Sequence, residues 1–174
     1  KNNMKKNLLL LLIVLLPALC FAQKITSEVD DFTGEKVIST SWEKIYSGGM
    51  TGKNQTHIRL RHEGGNDFLE IRLFTDCVAS CQKGEKILMK TDKGIVELLN
   101  TEYKLTGPGD WSPSSINSKL GIYLVCTSSN IAKLANEKVT KIRITLSDGY
   151  RDIELKDKDS SKLQNLVKAF ISHL

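Results

Sequence analysis

The chain has 174 residues, of which 40% are hydrophobic and 26% are charged, and its formal net charge is +5 at pH 7. Basic and acidic side chains alternate along the sequence without a basic block, which excludes the electrostatic footprint of a nucleic-acid-binding protein. Twelve glycines and three prolines exclude a low-complexity chain, and the length suits one domain with its own hydrophobic core.

The first residues have the layout of a secretory signal peptide. Lys5 and Lys6 form a positive n-region, Leu8–Leu16 is an unbroken apolar run, and the stretch "ALCFAQ" provides a cleavage site after Ala22. The apolar run is shorter than the ~20 residues that a membrane-spanning helix requires. We therefore expect residues 1–22 to be removed, and the protein to be exported to the periplasm or the cell surface.

Cleavage would change the character of the remaining chain. Loss of three lysines lowers the net charge from +5 to +2. Residues 23–174 are expected to form a single β-rich domain without a membrane span. Acylation of Cys20 would instead give a lipoprotein, but Leu19 stands where a lipoprotein signal carries a small residue.

Beyond the signal peptide, "KVISTSWEKIY" predicts a strand at Lys36–Tyr46, and three β-hairpins follow along the chain. Each hairpin has a two-residue turn that contains glycine between runs of alternating apolar and polar residues. The predicted turns and cross-strand pairs are Gly64-Gly65 with Leu60–Leu69, Ile58–Ile71, Arg59–Glu70 and His62–Asp67; Lys93-Gly94 with Met89–Leu98 and Lys90–Glu97; and Asp148-Gly149 with Ile144–Ile153, Ile142–Leu155 and Arg143–Glu154. Apolar residues and opposite charges face each other throughout, which predicts an antiparallel sheet with one buried face.

Two further strands are predicted at Glu102–Thr106 and Leu120–Cys126, and the second is apolar enough to be central in the sheet. A short helix is predicted in "SSNIAKLANEK", with Ser129 or Asn130 as its N-cap. A longer C-terminal helix should begin at Asp159 or Ser160. Its apolar stripe comprises Leu163, Leu166, Val167, Phe170 and Leu174. The predicted fold class is mainly β (α+β): an antiparallel sheet or sandwich of about seven to nine strands built from hairpins, with a packed C-terminal amphipathic helix.

Three cysteines follow the signal peptide, and an exported protein meets an oxidising compartment in which disulfides persist. The disulfide candidates are Cys77, Cys81 and Cys126, with Cys77–Cys81 or a bridge from Cys126 to either of them as the possible pairs. Free buried thiols are the alternative. No metal site is expected, because no second close cysteine pair exists to complete a zinc site. The three-residue spacer between Cys77 and Cys81 also differs from a C-x-x-C redox motif.

The sequence contains no serine elbow, P-loop, dinucleotide fingerprint, zinc-protease motif or calcium-loop spacing, so no catalytic residue and no cofactor are predicted. Aromatic side chains are the more informative candidates for binding. Trp111, in the long loop at residues 106–119, is the first, and Tyr103 and Tyr123 could complete a platform for a sugar or a peptide. Trp42 lies among residues typical of a strand and is expected in the core.

The stretches "DDFTGEKVISTSWEKIY", "KGEKILMKTDKGIVELLNTEY" and "KVTKIRITLSDGYRDIELKDKDSSKLQ" resemble a group of small, uncharacterised exported proteins of Bacteroidota bacteria. The similarity covers roughly residues 30–170 and rests on strand patterning and turn residues. It implies a periplasmic or surface setting and supplies neither an activity nor a site.

Taken together, these features predict an exported, non-enzymatic β-rich module for binding or envelope assembly, whose partner is a protein or a glycan of the cell envelope. Two alternatives remain open. One is a carbohydrate-recognition module that uses the loop aromatics, and the other is an envelope hydrolase whose catalytic acids the sequence does not identify.

Overall fold

A computed structural model describes residues 25–48, 54–75, 77–108 and 120–174, and these residues form a mainly β structure. The expected signal peptide, Cys20 and Trp111 lie outside the described residues. The strands are β1 (Ile25–Val29), β2 (Lys36–Thr40), β3 (Glu43–Gly48), β4 (Asn54–Glu63), β5 (Asn66–Thr75), β6 (Ser80–Cys81), β7 (Lys86–Thr91), β8 (Ile95–Asn100), β9 (Lys104–Leu105), β10 (Gly107–Pro108), β11 (Leu120–Thr127), β12 (Val139–Leu146) and β13 (Gly149–Glu154). A 3-10 helix spans Ile131–Ala135, and the helix α1 spans Asp157–Ile171.

Within the described residues, eleven strands form one sheet in the order β1-β2-β4-β5-β11-β8-β7-β12-β13, with β3 beside β4 and β10 beside β11. The strands β6 and β9 form a separate two-stranded sheet. Every pairing is antiparallel. The predicted fold class is therefore confirmed, and β11 has the central place that its apolar sequence indicated, between β5 and β8.

Two predicted strands are shorter in the structure than the sequence suggested. The expected strand at Lys36–Tyr46 is interrupted after Thr40 and resumes at Glu43, so that it becomes β2 and β3. The expected strand at Glu102–Thr106 is reduced to β9. The interruption in the first segment matters later, because Trp42 lies in it.

The β4–β5 hairpin has the predicted register. Gly64 and Gly65 form its turn with φ values of +58° and +73°, and only glycine adopts such angles readily at both positions of a tight hairpin turn. The predicted pairs Ile58–Ile71, Arg59–Glu70, Leu60–Leu69 and His62–Asp67 are all present. At the tip, His62 Nδ1 lies 2.7 Å from Asp67 Oδ1, which makes this a half-exposed cross-strand pair.

The β7–β8 register differs from the prediction by two residues, because the turn comes one residue earlier, at Asp92-Lys93. The hydroxyl of Thr91 accepts the backbone N–H groups of Lys93 and Gly94 at 3.1 and 3.0 Å and so stabilises this earlier turn. The predicted pairs Met89–Leu98 and Lys90–Glu97 are wrong. The observed pairs are Ile87–Leu98, Leu88–Glu97, Met89–Val96 and Lys90–Ile95.

The β12–β13 hairpin shows the same offset, with its turn at Ser147-Asp148. A tertiary contact holds it there, since the Ser80 N–H donates to Ser147 Oγ at 2.9 Å and the Ser147 N–H donates to Ser80 O at 2.8 Å. The predicted pairs Ile144–Ile153, Ile142–Leu155 and Arg143–Glu154 are wrong, and the observed pairs include Ile142–Ile153, Arg143–Asp152 and Ile144–Arg151. An offset of two residues keeps every side chain on its predicted face.

The helix α1 packs against β2, β3 and β4 at one side of the sheet and against β12 at the other. Its stripe is buried as predicted at Leu163, Leu166, Val167 and Phe170. Leu174 was expected in the stripe, but it lies beyond the end of the helix and is exposed. The helix N-cap is Lys156, not Asp159 or Ser160, and the buried Ser160 hydroxyl instead donates to Val139 O.

The segment predicted as a short helix forms the 3-10 helix, whose buried residues include Ile131 and Leu134. Asn130 occupies its N-cap position, as one of the two predicted candidates, although its side chain makes no capping hydrogen bond. Neither helix in the described part of the chain is long and apolar enough to cross a membrane.

Candidate functional site

One face of the sheet is buried under α1, and the opposite, outer face of β4, β5 and β11 collects arginines and aromatic rings. Alternation along each strand produces this segregation, since successive side chains point to opposite faces. Ile58 and Leu60 on β4 are buried, while Arg59 and Arg61 between and beyond them lie on the outer face. We name the resulting group the arginine–aromatic cluster; it comprises Trp42, Arg59, Arg61, Glu70, Arg72 and Tyr123.

Glu70 is the centre of the cluster and has no solvent exposure. The Nε atom of Arg61 lies 2.7 Å from Glu70 Oε1, and the Nε atom of Arg59 donates to Glu70 Oε2. The two arginine side chains are 25% and 28% exposed, respectively. A buried carboxylate is stable only when it is paired and hydrogen-bonded, so Glu70 fixes the position of both guanidinium groups.

Trp42 lies against two guanidinium groups of the cluster. The Arg72 Cζ atom is 3.9 Å from the centre of its ring, and the Arg59 Cζ atom is 4.8 Å from it, both within cation–π range. Tyr123 meets the Trp42 ring edge to face, with the ring centres 6.0 Å apart. Trp42 is half-buried on the outer face and is not part of the hydrophobic core, contrary to the expectation from sequence.

The pKa values of Tyr123 and His57 are both shifted by burial and by neighbouring side chains. Burial raises the pKa of the Tyr123 hydroxyl, and its hydrogen bond to Glu70 raises it further. Burial also lowers the pKa of His57, and the charges of Lys44 and Arg72 lower it in the same direction. The phenol is therefore a neutral hydrogen-bonding group at physiological pH, and the positive field at this end of the face favours an anion over another cation.

Of the three predicted binding aromatics, the structure brings Tyr123 into the cluster. Tyr103 is exposed in the segment just before β9. The next residue, Lys104, places its Nζ atom 5.5 Å from the centre of the Tyr123 ring. The position of Trp111 lies outside the described residues. Sequence reasoning missed the arginines and Trp42. The alternation of Arg59, Arg61 and Arg72 on the two strands of a correctly paired hairpin was a signal that could have identified the arginines, but no such signal pointed to Trp42.

The expected disulfide is not formed, and Cys77, Cys81 and Cys126 are free thiols in the structure. Cys77 is half-buried, and its Sγ atom lies 3.2 Å from both Asp148 Oδ2 and Arg151 Nη2. Cys81 and Cys126 are both buried in the core. Burial raises the pKa of Cys81 to about 11, and it raises the pKa of Cys126 well above the usual range of a thiol. Two of the three cysteines therefore act as apolar core residues.

Among the residues that the structure describes, no group of three or more histidine, cysteine, aspartate or glutamate side chains is arranged to hold a metal ion. Comparison with protein-family models, with curated proteins and with solved structures finds no match to this chain. The chemistry of the arginine–aromatic cluster is therefore the main indication of what the protein binds. Planar guanidinium groups form paired hydrogen bonds with carboxylates, and aromatic rings present flat apolar faces to sugars.

Proposed function

We propose that the protein is an exported, non-enzymatic binding module that recognises an acidic glycan of the cell envelope through the arginine–aromatic cluster. The observation that carries this proposal is Glu70, which is completely buried between Arg59 and Arg61 on an outer sheet face. Three arginines lie around this buried carboxylate, counting Arg72, and the net charge stays positive when Glu63, which also binds Arg61, is included.

The cluster is suited to ligand binding because its side chains are already held in place. The guanidinium groups of Arg59 and Arg61 are fixed by Glu70, and that of Arg72 lies on the Trp42 ring. Ordering a flexible arginine on binding costs roughly 0.5–1.5 kcal/mol, and side chains that are fixed beforehand avoid most of this cost. Such an arrangement favours a ligand that carries carboxylates, as a uronic-acid polymer does.

The position of the cluster on central strands also fits a binding role. Arg59, Glu70 and Tyr123 belong to three consecutive strands of the sheet, β4, β5 and β11. Their relative positions are therefore set by the backbone hydrogen bonds of the ladder. Sites built on strands keep their geometry better than sites built on loops.

The test is a titration with oligogalacturonate and, as the uncharged counterpart, with its methyl ester. The chain has two tryptophans, so Trp111→Phe leaves Trp42 as the reporter and Trp42→Phe leaves Trp111. We expect a saturable change in Trp42 fluorescence with the acidic oligomer, a much weaker response to the ester, and a salt dependence typical of ion pairing.

Two variants give this test its specificity. Arg72→Gln should lower the affinity for oligogalacturonate about tenfold, as expected for a charge-assisted contact. Lys168→Gln removes an exposed cation from α1 and should leave the affinity unchanged. Calorimetry that shows no binding of acidic oligomers, equal binding of acid and ester, or equal losses in the two variants would refute the proposal.

A further inference from the structure

A second feature of the outer face is a pocket on β7, β8 and β12, which are separated from the arginine–aromatic cluster by the order of the sheet. The pocket has a volume of about 270 Å³ and is lined by Leu88, Lys90, Ile95, Lys141 and Arg143. Two of these residues, Leu88 and Ile95, are aliphatic, and the Ile95 side chain is 67% exposed. The described lining therefore combines two aliphatic residues with three cations and contains no acid.

The register of β7 and β12 places two of these cations face to face. Lys141 lies directly opposite Lys90 in the β12–β7 ladder. On its other side, Lys90 lies opposite Ile95 of β8. Like charges at directly opposed positions of a ladder destabilise the pair of strands. An anion beside Lys90 would offset the part of this repulsion that Asp152 and Glu154, the acidic partners of Lys141, leave uncompensated.

Two of the three cations already have acidic partners on the β13 edge. Asp152 accepts hydrogen bonds from Arg143 Nε and Nη2 at 2.6 and 2.7 Å, and Lys141 Nζ lies 3.0 Å from its Oδ2 atom. Lys90, by contrast, makes no ion pair with any residue that the structure describes. The pocket therefore has one uncompensated positive charge beside an exposed aliphatic surface.

We propose that this pocket binds a medium-chain fatty acid, with the carboxylate between Lys90 and Lys141 and the alkyl chain against Leu88 and Ile95. Charge complementarity favours a carboxylate next to the lysines. The aliphatic side chains of the lining favour an alkyl chain, because contact between them removes apolar surface of both the protein and the ligand from water. The pocket volume lies just below the ~300 Å³ at which pockets for drug-sized ligands begin. This size favours a medium-chain fatty acid over a long-chain one. This site shares no residue with the arginine–aromatic cluster.

The probe is sodium octanoate, titrated into uniformly ¹⁵N-labelled protein and followed by amide chemical shifts and by calorimetry. We expect saturable shifts at amides of β7, β8 and β12. Acetate, which lacks the chain, and 1-octanol, which lacks the charge, should each bind about tenfold more weakly or not at all. Equal binding of acetate would reduce the site to an anion contact, and equal binding of octanol would reduce it to an apolar patch. Either result overturns the proposal.

Lys90→Gln separates ligand binding from folding. Removing Lys90 relieves the repulsion with Lys141, so the variant should be at least as stable as the wild type while its affinity for octanoate falls about tenfold. Ile95→Ser should weaken octanoate binding without changing the response to acetate. Lys168→Gln, which removes an exposed cation of α1 outside the pocket, should bind octanoate like the wild type. Unchanged octanoate affinity in Lys90→Gln, or an absence of saturable shifts in the wild type, would show the proposal to be wrong.

Discussion

The buried carboxylate of Glu70 provides the most direct test of the structure. Arg61 contacts two carboxylates, Glu70 and Glu63, and their side chains are 0% and 40% exposed, respectively. The same guanidinium thus interacts with one fully buried and one partly exposed partner. Glu70→Gln and Glu63→Gln therefore form a pair of substitutions that differ in burial and in the number of partners, because Glu70 also binds Arg59.

The expected magnitudes follow from that difference. Removing one partner of a fully buried ion pair costs about 3–5 kcal/mol, because the other charge is left buried and uncompensated. The arginines left by Glu70→Gln are about a quarter exposed, so water screens part of this cost, and we expect a loss of about 2–3 kcal/mol. Glu63→Gln should cost about 0.5 kcal/mol or less, as is typical of exposed ion pairs.

Urea denaturation followed by far-UV circular dichroism measures both effects without relying on Trp42, which lies in the cluster itself. For a denaturant dependence of about 2 kcal/mol per M, Glu70→Gln should lower the midpoint by about 1–1.5 M urea, and Glu63→Gln should hardly move it. Equal midpoint shifts in the two variants would contradict the reasoning. So would a Glu70→Gln variant within about 0.5 kcal/mol of the wild type, since a mostly solvated carboxylate would behave in that way.

Three further predictions concern the core, the β12–β13 hairpin and the thiols. Phe170→Ala should destabilise the fold by about 3–5 kcal/mol because it opens a cavity under the sheet, whereas Ala at the exposed neighbour Ile171 should cost far less. The pKa of Asp152 lies below its usual range because its arginine partner donates hydrogen bonds to it; its contribution to stability is therefore full above about pH 4 and is lost as the pH falls below that value. Asp152→Asn should accordingly show a flatter acid-unfolding profile than the wild type. In the folded protein, iodoacetamide should modify Cys77 much faster than Cys81, which is buried and has its pKa raised to about 11.

Each of these has a measurement that can contradict it. Chemical denaturation of the two helix variants would have to show a larger loss for Phe170 than for Ile171. Thermal unfolding between pH 5 and pH 2 would have to show a steeper loss for the wild type than for Asp152→Asn, and the difference should shrink at high salt. Intact mass after alkylation, with and without urea and with and without prior reduction, counts the reactive thiols. A mass increase that appears only after reduction would demonstrate a disulfide and contradict the free-thiol structure.

The three hairpins differ in whether the position of the turn, and hence the strand register, could be predicted from glycine alone. At Gly64-Gly65 both turn residues need positive φ, and two glycines in a row leave one solution, so the β4–β5 register could be predicted. The other two turns were misplaced by one residue because single glycines do not define the turn alone. Thr91 selects the turn of β7–β8 through local hydrogen bonds, and Ser80 selects that of β12–β13 from a distant strand.

Fewer features of the candidate site than of the hairpins could be predicted from the sequence. Tyr123 could be proposed from sequence, because an aromatic residue in a strand is a familiar binding element. Trp42 and the buried Glu70 could not be recognised, since their role depends on which strands become neighbours and on an interruption between β2 and β3. The free thiols likewise reflect where two distant chain segments come to lie, one with Cys77 and Cys81 and the other with Cys126.

What the sequence determined by itself was the face on which the side chains of the three hairpins lie. Alternation has a period of two, so apolar residues identify the buried face even where the pairing is offset by two positions, and the stripe of α1 follows from the helical period in the same way. Only the tertiary structure decided which outer-face residues of different hairpins meet, because strand order depends on contacts between residues far apart in the chain. The arginine–aromatic cluster and the pocket on β7, β8 and β12 both arise at that level.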